Sequence, residues 1–225
     1  MPESTPQAPI HAALFDMDGL MLDTERIACQ AWHDAAAELG YDVPAEVVLG
    51  MVGMHSSKVE AWLKSQLGDD APVTLLREAT HERYLQLTDG PIPLKPGLIE
   101  LLDWLAAQGL PIGVATSTRR SIAEHHLKAA GIWPRFAFAV CGDEIEHPKP
   151  APDIYLKAAG QHGIAPESCV VFEDSNFGVR AAHSAGCRVI MVPDLRQPTS
   201  ETLTLGVPVV ASLIEAQALT ASWFN

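Results

Sequence analysis

Apolar residues fall into two spacings along the chain. Short, largely apolar runs occur at residues 10–15, 110–115, 136–141, 169–172 and 188–192. They lack polar alternation, as strands buried on both faces do. Helical patterns lie between them. Leu98, Ile99, Leu102, Leu105 and Ala106 share one face, and Gly109 stops the run. A further helix runs to Ala130, with Ser121 and Glu124 in capping-box spacing and Gly131 as its stop. Helices are also predicted over 153–162 and 176–185, closed by Gly163 and Gly186. Residues 207–211 read as a last edge strand with a short helix after it.

Strands that alternate with helices and are apolar throughout predict an α/β fold, a Rossmann-like doubly wound parallel sheet covered on both faces. Residues 25–91 break this rhythm. Ile27, Ala31, Ala35 and Ala28, Trp32, Leu39 fall at helical spacing, and Gly40 ends them. Ser57 and Glu60 form a capping box ahead of Val59, Trp62, Leu63 and Leu67. Leu76, Ala79, Arg83, Tyr84 and Leu87 mark another helix. No strand signal appears, so an all-helical cap domain at 25–91 is read as inserted into a core made of 10–24 and 92–225. The Trp and Leu stripes are assigned to packing.

Composition narrows the function classes. The 225 residues are 48% hydrophobic and 19% charged, enough to build a core. A formal net charge of -13 disfavours nucleic acid and anionic lipid as partners, because both are bound by clustered Lys and Arg. No apolar run approaches the ~18 residues of a membrane span. Residues 1–9 hold Glu3, three prolines and no basic residue, and read as a disordered lead-in rather than a secretion signal. Cys29, Cys141, Cys169 and Cys187 show no C-x-x-C spacing, as expected of reduced thiols in a cytoplasmic protein. With no apolar stripe left over, a monomer is expected.

The chemistry gathers at strand ends. The first run leads into Asp16-Met17-Asp18-Gly19 and then Asp23, three carboxylates that are costly at a buried strand's mouth unless something positive binds there. A calcium loop of the EF-hand type needs its Gly at the sixth position and a preceding helix, and neither is present. A second acidic pair, Glu173-Asp174, ends another strand, and Thr116-Ser117 ends a third. In a parallel sheet these ends share one edge. Carboxylates from two strands make the hard oxygen site that Mg²⁺ prefers, and hydroxyls beside it suit a phosphoryl oxygen. In His147-Pro148-Lys149-Pro150, flanking prolines are expected to hold the backbone extended and aim the Lys149 ammonium.

Phe-Asp-Met-Asp-Gly-Leu, Ala-Thr-Ser, Pro-Lys-Pro and Glu-Asp-Ser-Asn-Phe-Gly-Val, in this order, resemble the four motifs of the haloacid dehalogenase superfamily. The likeness runs from Ile10 to about Ala211, and is nearest to the branch holding β-phosphoglucomutase and small sugar-phosphate phosphatases. The resemblance implies an Mg²⁺-dependent phosphatase acting on a small phosphorylated metabolite, with a sugar phosphate the expected class. It implies Asp16 as nucleophile forming an aspartyl-phosphate and Asp18 as general acid and base. Thr116, Ser117 and Lys149 would hold phosphate. Asp16, the Asp18 carbonyl, Asp174 and Glu173 would stand around the metal, Glu173 as a ligand or just behind one.

Within that family, Asp18 favours phosphoryl transfer over dehalogenation, whose members lack the second Asp. A phosphosugar mutase remains an alternative, although Ala28, Ser56 and Gln86 occupy the places of its basic cap residues. A catalytically silent phospho-ligand-binding module is the alternative of another class. Glu25 is either a specificity residue or a first-turn acid favoured by the helix dipole. His55 and Ser56, in the first cap loop, are expected to touch substrate.

Overall fold

The computed structural model describes residues 8–52, 54 and 56–224. Most of the lead-in expected at 1–9 therefore lies outside the described residues, as does His55. Five parallel strands form one sheet: β1 (Ala12–Phe15), β2 (Ile112–Ala115), β3 (Phe138–Val140), β4 (Cys169–Glu173) and β5 (Arg188–Met191). Their order is β3-β2-β1-β4-β5, so β1 is central and the chain winds outward from it in both directions. This is the Rossmann-like arrangement, with its switch in strand order beside β1.

Alternate residues of the strands feed two cores. Ala13, Phe15, Val114 and Phe172 pack against α5 (Leu98–Ala107), α6 (Arg120–Ala129) and α10 (Leu213–Ala221). Leu14, Val171 and Met191 pack against α7 (Asp153–Gly160) and α8 (Asn176–Ser184). All four residues of β1, and all five of β4, are buried, which explains their unbroken apolar character. Among the described residues, no helix is long and apolar enough to cross a membrane.

Between β1 and α5 run four helices: α1 (Thr24–Glu38), α2 (Ala45–Met51), α3 (Ser56–Leu67) and α4 (Val73–Leu87). They share a third core built on Ala36, Val47, Val48, Leu63, Val73 and Leu76, with Trp32 and Trp62 packed at its margin. The Trp62 indole N–H donates to the Val47 carbonyl at 3.1 Å, tying α3 to α2. Arg83 on α4 pairs with Asp34 on α1 at 2.7 Å. The linkers are pinned by Asp194, a buried acid after β5, which pairs with Arg26 at 2.9 Å and Lys95 at 2.7 Å.

Some local expectations are corrected. The edge strand at 207–211 is a single parallel bridge between Met191 and Val209, because Pro208 cannot donate to a continued ladder. Helix α6 starts one residue before Ser121, with Arg119 at its cap. Its first N–H, from Arg120, is taken by the Asp143 carboxylate at 3.0 Å, so a distant acid does the work expected of Ser121. Two short helices, α2 and α9 (Ser200–Leu203), have no counterpart among the predicted elements.

Candidate active site

Parallel register brings the motifs together. Phe15 of β1 pairs with Val114 on one side and Phe172 on the other. The next residues, Asp16, Ala115-Thr116 and Glu173-Asp174, therefore leave the sheet side by side at its C-terminal edge. Asp16 continues the pairing, donating its N–H to the Phe172 carbonyl at 3.1 Å.

Lys149 occupies the centre, 5% exposed. Its ammonium donates to Asp16 Oδ1 at 2.5 Å, Glu173 Oε1 at 2.6 Å and the Ala115 carbonyl at 3.1 Å, using all three N–H bonds. The extended backbone expected here is instead a turn: the Ala151 N–H closes onto the Pro148 carbonyl at 3.1 Å, and the Lys149–Pro150 peptide is cis. His147 anchors the approach, its backbone N–H donating to Asp153 Oδ2 at 3.2 Å.

Glu173 is fully buried. Oε1 accepts from Lys149 and from the Tyr155 hydroxyl at 2.8 Å, while Oε2 accepts the N–H and hydroxyl of Ser175, both at 3.0 Å. Four donors fill the lone pairs of one carboxylate. Gly178 makes room for this arrangement: a Cβ there would lie 1.7 Å from Glu173 Oε1.

Asp16, Glu173 and Asp174 each offer an oxygen within 4.8 Å of the others. Burial raises the Asp16 carboxyl to about 7, with Lys149 opposing and Glu173 and Asp18 adding. Burial also pushes Asp174 well up, with Glu173, Asp16 and Glu25 adding. Lys149 is held in its charged form: burial opposes the charge, and Asp16 and Glu173 outweigh it. Crowded acids that outnumber their one buried cation are a donor set suited to a divalent metal, and all three offer hard oxygen. Asp174 fits best, since Lys149, Tyr155 and Ser175 leave Glu173 no spare lone pair.

Asp18 is held differently. Thr24 donates to its Oδ1 at 2.7 Å, and Thr118 and Thr116 donate to its Oδ2 at 2.7 and 3.3 Å. The Thr116 hydroxyl also accepts the Thr118 N–H at 3.1 Å. Thr24 and Thr118 were not singled out from sequence. Their signal was present, as a hydroxyl run at 116–118 and a Thr at the helix start, but nothing local indicated which carboxylate they serve.

Gly19 turns the chain between Asp18 and α1 with φ +82°, and an added Cβ would lie 2.4 Å from Asp174 Oδ2. Gly19→Ala is therefore expected to cost about 1–2 kcal/mol from backbone strain alone. Displacement of Asp174 should add to that, measured as a lower midpoint in urea unfolding.

A cavity of about 270 Å³ opens over these groups. Asp16, Asp18, Thr116, Ser117, Lys149 and Asp174 form its floor, and Glu25, Met51, His81 and Tyr84 form its roof. Glu25 is a first-turn acid of α1 and also lines the cavity. Ser56 begins α3. His81 and Tyr84 were missed as site residues; Tyr84 was counted as helix core.

The haloacid dehalogenase-like hydrolase family model matches residues 13–192. The chain belongs to this family. It is 33% identical over 180 residues to the fructose-1-phosphate phosphatase YqaB of Escherichia coli, covering 80% of this chain and 94% of that protein. It is 30% identical to hexitol phosphatase B of the same organism, covering 96% and 97%. The solved structure of CbbY from Rhodobacter sphaeroides in complex with xylulose-(1,5)bisphosphate superposes with a TM-score of 0.76 at 31% identity, covering 92% of this chain and 96% of that one.

Proposed function

We propose that this protein is an Mg²⁺-dependent phosphatase that hydrolyses a small phosphorylated metabolite of the sugar-phosphate class through an aspartyl-phosphate on Asp16. The observation that carries this reading is the buried Lys149 ammonium bridging Asp16 and Glu173 beside Asp174. A fixed cation on Asp16, with an acid beside it suited to a second cation, supports reading Asp16 as a carboxylate nucleophile.

Asp16 needs no base once ionised. Oδ1 is engaged by Lys149, so Oδ2 attacks phosphorus and the bond to the ester oxygen breaks. Asp18 gives its proton to that leaving oxygen. In the second half, Asp18 takes a proton from water, the water oxygen attacks phosphorus, and inorganic phosphate leaves with Asp16 restored. The threonines around Asp18 fix its direction in both steps. Lys149, its three N–H bonds already taken, offers the phosphoryl group its charge across Asp16. Ser117 and Thr116 line the cavity beside that group, and Glu173 keeps Lys149 charged and in place. Asp16, Asp174 and the Asp18 carbonyl are the proposed metal ligands. Bound Mg²⁺ would supply positive charge that offsets the negative charge of the transferring group and of the acids around it.

The relatives support this reading, since the named enzymes hydrolyse phosphate esters of sugars and polyols. The cap supports hydrolysis over the mutase alternative, because Ala28 presents a methyl group where a mutase would carry a basic side chain. Residues 25–91 act, in this reading, as a cap that closes water out of the site, while 10–24 and 92–225 carry the chemistry. A monomer in the reducing cytoplasm, where thiols such as Cys29, Cys141, Cys169 and Cys187 stay free, is part of the same proposal.

The test is release of phosphate from 4-nitrophenyl phosphate. Turnover should require Mg²⁺, disappear in excess EDTA and return when Mg²⁺ is restored. Undiminished turnover in EDTA would overturn the metal assignment, and equal background rates for the parent and Asp16→Asn would overturn the enzyme reading.

A further inference from the structure

A second cavity, of about 280 Å³, lies among the cap helices and abuts the first along Glu25, Ala28, Met51, His81 and Tyr84. Two helices each give it one stripe. From α1 come Glu25, Ala28, Cys29 and Trp32, and from α4 come Arg77, Thr80, His81 and Tyr84. Both sets follow the i, i+3, i+4, i+7 spacing of a single helix face. Such a face ordinarily packs against a neighbouring element. Here both stripes border open space, and the small Ala28 and Cys29 side chains keep it open. The opening is a groove reached from solvent, and one of this size with apolar walls beside a candidate catalytic centre points to a ligand.

The walls indicate which ligand. Among the described residues, and beyond the shared ones, they are mostly apolar, with Trp32, Val48, Val52 and Val59 beside one charged side chain, Arg77. A polyol would bring several hydroxyls to this surface, and burying them unpaired is costly. A flat ring can lie against an indole and needs only a few polar contacts. Arg77 and His81 line the cavity and can supply them.

We propose that this second cavity seats the leaving group of the substrate, and that the preferred substrates are phosphate monoesters whose sugar carries a flat heteroaromatic ring. The proposal rests on the phosphatase reading above and narrows its substrate class. Two cavities that abut let one ligand place its phosphate over Asp16 and its ring against Trp32.

The experiment compares uridine 5'-monophosphate with glycerol 3-phosphate. The expected ratio of kcat/KM favours the nucleotide by about tenfold or more, the scale of one aromatic contact with its buried area. Trp32→Ala should lower that ratio. Cys29→Phe, which fills the cavity from α1, should lower it too, and a Tm equal to the parent's would separate blocked binding from misfolding. A second readout needs no turnover. Cys29 is half-buried, whereas Cys141, Cys169 and Cys187 are buried, so a small maleimide should label Cys29 first. In the Asp16→Asn protein, uridine 5'-monophosphate with Mg²⁺ should slow that labelling more than glycerol 3-phosphate does. Hydrolysis of glycerol 3-phosphate as fast as the nucleotide, or equal protection of Cys29 by both, would overturn the proposal and leave the phosphatase reading standing. Selective protection of Cys29 without turnover of either ester would uphold the cavity assignment and overturn the phosphatase reading.

Discussion

Asp16→Asn should remove turnover by at least ~10⁴-fold, the scale seen when a covalent nucleophile is lost. It should do so without unfolding the protein. In metal-free buffer the Asp16 carboxyl is raised from 3.8 to about 7, chiefly by burial, with Glu173 and Asp18 adding. A raised carboxyl pKa means that the folded state holds a proton the unfolded chain has released. The stability linked to that proton is fully present below the unfolded value and is lost as pH rises through about 7. Asparagine cannot ionise and so escapes this loss, and Lys149 keeps Glu173 as a partner. At about pH 8 in EDTA, the variant should therefore melt no lower than the parent. Thermal unfolding monitored by circular dichroism, run beside a phosphate-release assay, checks both halves. A variant that is inactive and also markedly less stable would indicate that Asp16 serves mainly as a structural partner of Lys149.

Lys149→Met should lose both activity and stability. Methionine fits the space but leaves Asp16 and Glu173 facing one another without their shared cation. Breaking a buried ion pair from one side costs about 3–5 kcal/mol, because the remaining charge is stranded. For a chain of this size, that lowers Tm on the order of 10 °C. The loss should shrink at acid pH, where the stranded carboxyls can take up protons. Turnover should fall with it, since the phosphoryl group loses its fixed cation. If Lys149→Met had the parent's Tm at neutral pH, the three-way contact among Lys149, Asp16 and Glu173 would have no energetic standing. Of these two substitutions at the ends of one 2.5 Å ion pair, Asp16→Asn is thus expected to remove chemistry alone and Lys149→Met to remove chemistry and stability together.

The sheet was legible in sequence because each strand is buried on both faces and so shows as an unbroken apolar run. The candidate site was legible because its acids sit directly after such runs, where a carboxylate is costly without a positive partner. The cap was legible only as helices. Trp32 and Tyr84 fall at packing spacing, and a helix face bordering a ligand cavity has the same spacing as one bordering another helix. Only the surrounding space distinguishes them, and α2, whose Val48 and Met51 complete that space, is too short to show a pattern. The contacts of Asp18 were hidden for a related reason. Thr118 lies 100 residues along the chain from Asp18, and the parallel register between β1 and β2 joins them. Lys149 does reach the strand ends as a buried cation, but it is held by a closed turn and two carboxylates rather than by an extended proline-flanked segment.

The central claim is that the phosphoryl group passes through Asp16. Mixing the enzyme with radiolabelled phosphate ester and Mg²⁺, quenching in acid within a turnover and digesting the protein tests it directly. Label should appear on the peptide carrying Asp16, be absent from Asp16→Asn and be released by hydroxylamine, as an acyl phosphate is. Full turnover with no label on the protein, or label on any other residue, would contradict the account.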